Sequence, residues 1–329
     1  MSTPFQVLTV TANPAIDQTL AIADFAAGKV NRVASSRMDA GGKGINVATI
    51  LADLHLPVCV TGLLGIQNAA LFERHFAAHN LEDRFVRVAG ETRTGLKIVN
   101  PQNGETTDIN FAGLQAGSED VTQLEHEVST LAALSQWTVL SGSLPRGVDA
   151  DFYFRLIEAI HAAGGAVALD ASGAPLLQAV AAQPEILKPN RSELEELVGH
   201  PLHSTTDVLR AATQLLVGRT RFVVISMGAD GALFVTRERA LRTRAPQVAV
   251  ASTVGAGDAM VAGLVWATLQ NLSLEETARL ATAFGAYAVT RCGAGMDVEE
   301  ASALMQQVKV EPVTEAMQQE RNLAVQGVQ

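Results

Sequence analysis

The stretch Ser252-Thr-Val-Gly-Ala-Gly-Asp258 runs straight into an apolar segment, residues 259–269, and combines an anion cradle with a base. Gly255 and Gly257 permit a tight turn and a close approach of backbone to a ligand. The helical spacing of the apolar residues that follow means that the next amides open a helix. Unpaired N–H groups and the macrodipole make such a terminus attractive to a phosphate whose charge grows during transfer. Asp258 then falls in the first turn, where a carboxylate can take the proton of an attacking hydroxyl. The structural alternative is that Asp258 only caps the helix or complements its dipole.

Other groups have the right chemistry to surround such a centre. Gly41-Gly42-Lys43-Gly44 enters a second helix, and Asn46 offers a donor and an acceptor suited to vicinal hydroxyls. Asn13-Pro-Ala-Ile-Asp17 follows a short apolar strand and reads either as a turn or as a ligand contact. Arg93, before another strand, has the forked guanidinium that grips phosphate in bidentate fashion, although most such arginines are solvated surface charges. Ser141-Gly-Ser-Leu-Pro-Arg-Gly147 and Asp170-Ala-Ser-Gly173 each end a strand with small residues, and Asp170 either caps the next helix or holds a cation or its water shell. In Lys188-Pro-Asn-Arg-Ser-Glu193 the pair Asn190 and Glu193 fits a capping box, which alone accounts for both side chains. No Gly-x-x-x-x-Gly-Lys-Ser/Thr pattern occurs anywhere, which argues against a P-loop.

These residues need a scaffold of alternating strands and helices. Period and turn signals predict strands at 7–10, 58–61, 137–140, 166–169, 186–187 and 222–226. Helices are predicted at 45–54, 69–78, 150–163, 175–182, 259–269 and 274–289, with another from about residue 119. Such alternation implies an α/β domain whose mostly parallel sheet is covered by helices on both faces. Residues 94–99 and 105–111 flank Pro101-Gln-Asn-Gly104 as a hairpin. With the alternating segments of 19–38 they could form a small sheet standing off the body. A further hairpin is expected around Asp230-Gly231 and 237–240. The polar residues after Val310 read as a loosely ordered tail.

The 329 residues suit one large domain with an insertion, and 48% hydrophobic against 18% charged residues indicates a well-buried core. A net charge of −10 argues against nucleic-acid and anionic-membrane partners, so an anionic substrate must meet locally placed cations. No signal peptide and no membrane-length apolar run is apparent. Cys59 and Cys292, without metal spacing, read as reduced thiols of a cytoplasmic protein.

The glycine–aspartate segment at 252–258 and the Gly41–Ala48 segment, in this order and about two hundred residues apart, resemble the two signatures of the ribokinase-like carbohydrate kinases of the phosphofructokinase B type. The resemblance spans roughly residues 6–310. It implies a single ribokinase-like domain at 1–310 with lid segments near 17–38 and 93–112, followed by a polar tail at 311–329. In such kinases Asp258 is the base, and Gly255, Ala256 and Gly257 form the anion hole. Asp17, Gly42, Lys43, Asn46, Arg93 and Ser141 contact the sugar phosphate, with Lys29 and Arg32 as further candidates that could reach a neighbouring subunit's site. Lys188, Asn190, Ser226, Gly228 and Gly231 serve ATP together with Gly255 and Gly257. Glu193 organises Mg²⁺ through water, with Asp170 as a second candidate. Carbonyls around Ser252, Val254 and 288–293 could hold a monovalent cation such as K⁺. Lys43, Arg93 and Asp108-Ile-Asn-Phe-Ala-Gly113 favour the branch acting on fructose 1-phosphate at its C6 hydroxyl. Fructose 6-phosphate and tagatose 6-phosphate are the alternative substrates, and a non-catalytic sugar-phosphate sensor is a more distant one. The lid implies a homodimer.

Overall fold

The computed structural model describes residues 5–291 and 293–313; Cys292 and the tail from 314 onward lie outside the described residues. β1 (Val7–Thr11) is buried at every position, as a strand covered on both faces must be. β2 (Ala15–Ala21) and β3 (Ser35–Gly41) form an antiparallel pair, and α1 (Lys43–Asp53) leads to β4 (Val58–Gly65), which lies parallel to β1. After α2 (Ala70–Ala78), the short β5 (Glu82–Asp83) and β6 (Val86–Val88) both join β4. β7 (Arg93–Val99) and β8 (Thr106–Asn110) make the hairpin expected across 101–104. Alternation resumes through α3 (Ser118–Ala132), β9 (Trp137–Ser141), α4 (Phe152–Ala162), β10 (Ala166–Asp170), α5 (Gly173–Ala179) and β11 (Ile186–Leu187). α6 (Arg191–Val198), α7 (Thr205–Gln214) and β12 (Phe222–Ser226) follow, then β13 (Ala232–Val235) and β14 (Ala240–Arg244) as antiparallel additions. α8 (Ala256–Leu269), α9 (Leu274–Ala288), α10 (Val298–Met305) and β15 (Lys309–Pro312) complete the described chain.

Among the described residues the main sheet has 11 strands in the order β15-β14-β13-β12-β11-β10-β9-β1-β4-β5, with β6 also on β4. The strands from β4 to β12 along this order pair in parallel, and the remaining edge is antiparallel. The chain leaves β1 toward β4 on one side and returns at β9 on the other, so a topological switch point opens beyond their carboxyl ends. Side chains alternate about this sheet. Val7 packs with α1, α8 and α9, whereas Leu8 and Val10 pack toward α3, α4 and α7. α8 is buried almost all round because it lies between α1 and α9, which explains its unbroken apolar sequence.

A separate sheet of four strands has the order β3-β2-β7-β8. Only the ends of the 19–38 region are strand; residues 22–34 are a connection exposed at all but the buried Ile22 and the half-buried Asn31. Several elements escaped the sequence reading, β5, β6 and α10 among them. α7 is announced by the capping box of Ser204 and Asp207 and by an apolar face of Val208, Leu209, Ala211 and Ala212. Glu311 and Pro312, expected to open a loose tail, instead pair with β14 as the end of β15, because the free edge of β14 supplies backbone partners that outweigh a polar sequence. No helix among the described residues is long and apolar enough to cross a membrane.

Candidate active site

A cavity of about 410 Å³ opens beyond the carboxyl ends of β10, β11 and β12, which deliver Asp170, Lys188 and Ser226 to it. The starts of α1 and α8 form its sides, and the small sheet contributes Asp17 and Arg93 from above. The sequence-distant segments near 43, 93, 190, 226 and 256 therefore meet at one point.

Gly255 is the N-cap of α8 in the left-handed region, φ 86°, a conformation costly for any residue with a Cβ. No side chain caps this helix, so its first amides face the cavity. Helix α8 starts at Ala256, three residues before the apolar run, and so places Ala256, Gly257 and Asp258 in its first turn. Asp258 is buried and accepts a hydrogen bond of 2.7 Å from Asn46 Nδ2. Burial pushes its carboxyl up to about 6, helped by the like charge of Asp170 and opposed by Asn46, Lys43 and Lys188. A carboxyl so placed is poised to exchange a proton near neutrality.

Beneath it lies a charged cluster. Asp170 Oδ1 is 3.3 Å from Lys43 Nζ and 3.4 Å from Lys188 Nζ. Burial would raise the Asp170 pKa, but Lys188 and Lys43 outweigh it and hold the group below the ordinary carboxylate value. Burial likewise opposes the Lys43 ammonium, and Asp170 and Asp258 more than compensate, keeping it above the ordinary lysine value. Gly257 lies over Lys188: a Cβ there would be 3.3 Å from Nζ. Asn190 and Glu193 form the anticipated capping box, with Asn190 Oδ1 accepting from the Glu193 amide at 2.9 Å and Glu193 Oε2 from the Asn190 amide at 2.7 Å. Both residues nevertheless line the cavity. Burial raises the Glu193 pKa against the pull of the Asn190 amide.

On the small-sheet side, Asp17 is pushed up to about 6 by burial, with Arg93 opposing. Gly41, paired with Ala15 and diagonal to Asp17, must be small, since a Cβ there would fall 2.1 Å from Asp17 Oδ2. Arg93 donates a long bond, 3.4 Å, to the Asn13 carbonyl, and its buried Nε has no partner. Asn13 also donates to Ser143 Oγ at 3.1 Å, tying the loops that follow β1 and β9. A second cavity, about 320 Å³, continues under the small sheet, bounded by Asn46, Ser252, Val254, Ala288 and Gly293.

The structure thus gathers Asp17, Gly42, Lys43, Asn46, Arg93, Asp170, Lys188, Asn190, Glu193, Ser226, Gly255, Gly257 and Asp258 around one cavity. Ser141 is fully buried beside Asp170 and does not line it; its Oγ has no partner. Gly228 and Gly231 also lie outside the lining. Gly231 has a packing reason of its own, because a Cβ there would be 2.0 Å from the Thr243 carbonyl oxygen. Lys29 and Arg32 lie in the exposed 22–34 connection, away from either cavity in this chain. Sequence reasoning missed Thr253 in the first cavity and Asp39, Lys97, Asp108 and Asn110 in the second. The alternation of β7 and β8 held the signal for the last three, but strand register was needed to use it.

Comparison with known proteins identifies the family. The model of the pfkB family carbohydrate kinases matches residues 10–301. The 1-phosphofructokinase of Rhodobacter capsulatus is 47% identical over 289 residues, 88% of this chain and 92% of that protein. That of Xanthomonas campestris is 49% identical over 284 residues, 85% and 89% of the two chains. Structures of phosphofructokinase-2 from Escherichia coli, one in complex with potassium and one with fructose-6-phosphate, align with TM-scores of 0.86 at 29% identity, covering 92% of this chain and 99% of theirs. Two glycine-lined helix starts, a buried carboxylate between them and a match across nearly the whole chain lead to one conclusion: the chain belongs to the pfkB family of carbohydrate kinases.

Proposed function

We propose that this kinase transfers the γ-phosphoryl group of ATP to the C6 hydroxyl of fructose 1-phosphate, giving ADP and fructose 1,6-bisphosphate. The observation that carries the reading is Asp258, a buried carboxylate raised to about 6 at a helix start whose amides face the same cavity as Arg93, Lys43 and Lys188. Asp258 accepts the hydroxyl proton as the new P–O bond forms and the bond to the leaving ADP oxygen breaks. Asn46 holds the carboxylate in place through its 2.7 Å bond. The amides of Gly255, Ala256 and Gly257 receive the charge that grows on the transferring oxygens. Arg93 and Lys43 bind the phosphate already on the sugar, and Asp17 accepts from its hydroxyls.

The residues present suit Mg²⁺. Glu193 and Asp170 supply two carboxylates near the nucleotide side of the cavity, and Asp170 Oδ2 is a buried oxygen without a partner. When bound, the ion neutralises phosphate charge. Ser252, Val254, Ala288 and Gly293 meet at one cavity, which supports a monovalent-cation site behind the anion hole, as does the potassium complex of the E. coli protein. The family and the paucity of cysteines support a cytoplasmic enzyme.

Fructose 1-phosphate is preferred to the 6-phosphates because the relatives at 47–49% identity are 1-phosphofructokinases, whereas phosphofructokinase-2 is 29% identical. Initial rates of ADP formation with fructose 1-phosphate, fructose 6-phosphate, tagatose 6-phosphate and fructose test this directly. Fructose 1-phosphate is expected to lead in kcat/KM. A lead for a 6-phosphate would reverse the sugar in the site, and a lead for fructose would remove the phosphate-binding role from Arg93 and Lys43.

A further inference from the structure

The inner face of the small sheet carries polar groups that the transfer step leaves unused. Strand register arranges them in rows about 6.7 Å apart. Arg93 lies beside Ala15 at one end; two residues on, Asp17 lies beside Asp39 and Gly95, with Asn110 across β7. Two residues further, Thr19 lies beside Lys97, which faces Asp108. Asp17, Thr19, Lys97, Asp108 and Asn110 all line the cavity of about 320 Å³, with Asn46 and Ile50 of α1 opposite. Lys97 Nζ is 3.6 Å from Asp108 Oδ1.

The charges along this face separate two kinds of chemistry. Arg93, with one long bond to the Asn13 carbonyl and a buried Nε without a partner, lies at one end. At the other, Lys97 is already matched by Asp108 and Asp39 by Arg37 at 2.6 Å, so that Asp17 adds a further carboxylate to pairs that are already balanced. A phosphate gains little there. A hydroxyl gains a great deal, because Lys97 donates, Asp108 accepts, and Asn110 does both.

Resting on the kinase reading above, we infer that Lys97, Asp108 and Asn110 form a hydroxyl-recognition wall, with Lys97 and Asp108 as specificity-determining residues for the sugar. The phosphate end points to Arg93 and the ring hydroxyls point to the wall. A sugar with one hydroxyl inverted leaves a charged donor or acceptor of the wall without its partner, which is the arrangement that rejects a near-isomer most strongly.

The test compares fructose 1-phosphate, its C4 epimer tagatose 1-phosphate, and fructose as substrates of wild type, Lys97→Met and Asp108→Asn. Loss of a charge-assisted bond is expected to raise KM for fructose 1-phosphate about ten-fold or more, with KM for ATP unchanged. The fructose-over-tagatose ratio in kcat/KM is expected to shrink by about five-fold or more. A raised KM with an unaltered epimer ratio would overturn the wall in favour of a merely structural pair. A loss confined to the phosphorylated sugars would overturn it in favour of phosphate binding by Lys97. Wild type that turns over no ketohexose phosphate would instead refute the kinase reading, and the wall with it. Should Lys97→Met fail to fold, the isosteric Asp108→Asn decides by the same ratio.

Discussion

Asp258 and Asp17 show how one environment prepares two carboxylates for different tasks. Both are raised to about 6 by burial, and the proposed reaction needs both ionised, one to take a proton and one to accept from hydroxyls. The acid limb of log kcat/KM is therefore expected to approach a slope of two below about pH 6 and to level above it. Asp17→Asn should leave residual turnover with a slope of one. Asp258→Asn is expected to lower kcat by about 10³-fold, with ATP binding retained in calorimetry; near-normal turnover would remove Asp258 as the base. The same substitution has a stability signature. Because its folded pKa lies above the ordinary 3.8, Asp258 keeps its proton in the native state between about pH 4 and 6, where the unfolded chain has lost it. Ionising it costs the fold about 3 kcal/mol at neutral pH, an upper figure at about 1.4 kcal/mol per pH unit. The ligand-free Asp258→Asn protein should thus melt higher than wild type at pH 7.5, and the gain should vanish near pH 4.

Elements position these groups through contacts that tolerate little change. α1 carries Lys43 and Asn46, and Gly44 presses it against β1: a Cβ there would lie 2.4 Å from Thr11 Oγ1 and 3.0 Å from the Val10 carbonyl oxygen. Gly44→Ala is expected to destabilise the protein by about 1–3 kcal/mol, seen as a lower denaturant midpoint, and to raise KM for the sugar phosphate as α1 shifts. Gly164→Ala, where the surroundings are open but φ is 82°, provides a control in which only backbone strain is added, far from Asn46 in sequence. A KM effect in Gly44→Ala but not in the control would tie the glycine to the site and not merely to the fold.

The whole molecule presents one surface that asks for a partner. The outer face of the small sheet carries Leu96 and Ile109 on the neighbouring β7 and β8, followed by Phe111, with Met38 on β3 beyond Gln18 of β2; Met38 is 57% exposed, Ile109 42% and Phe111 56%. Such an apolar patch on a polar-rimmed sheet is characteristic of an interface. Sedimentation is expected to give a dimer that Ile109→Glu converts to monomer. If Lys29 or Arg32 completes the partner's site, the monomer should also show a raised KM for the sugar phosphate. A monomeric wild type would exclude this face as the dimer interface.

The sequence by itself determined the α/β class, the two glycine-rich helix starts and the position of Asp258 at the second of them, because these depend on local properties: hydrophobic period, unpaired amides at a helix start, and φ angles open only to glycine. It also made the capping box of Asn190 and Glu193 legible, since its bonds span three residues. Tertiary structure alone decided that Lys43 and Lys188 share Asp170, that Asn46 holds Asp258 across 212 residues of sequence, and that Ser141 is buried beneath the site instead of lining it. It also decided that Lys97, Asp108 and Asn110 face a cavity. Strand register makes that choice: shifting a strand by one residue turns every side chain to the other face, and the register of four strands distant in sequence is set by their packing together.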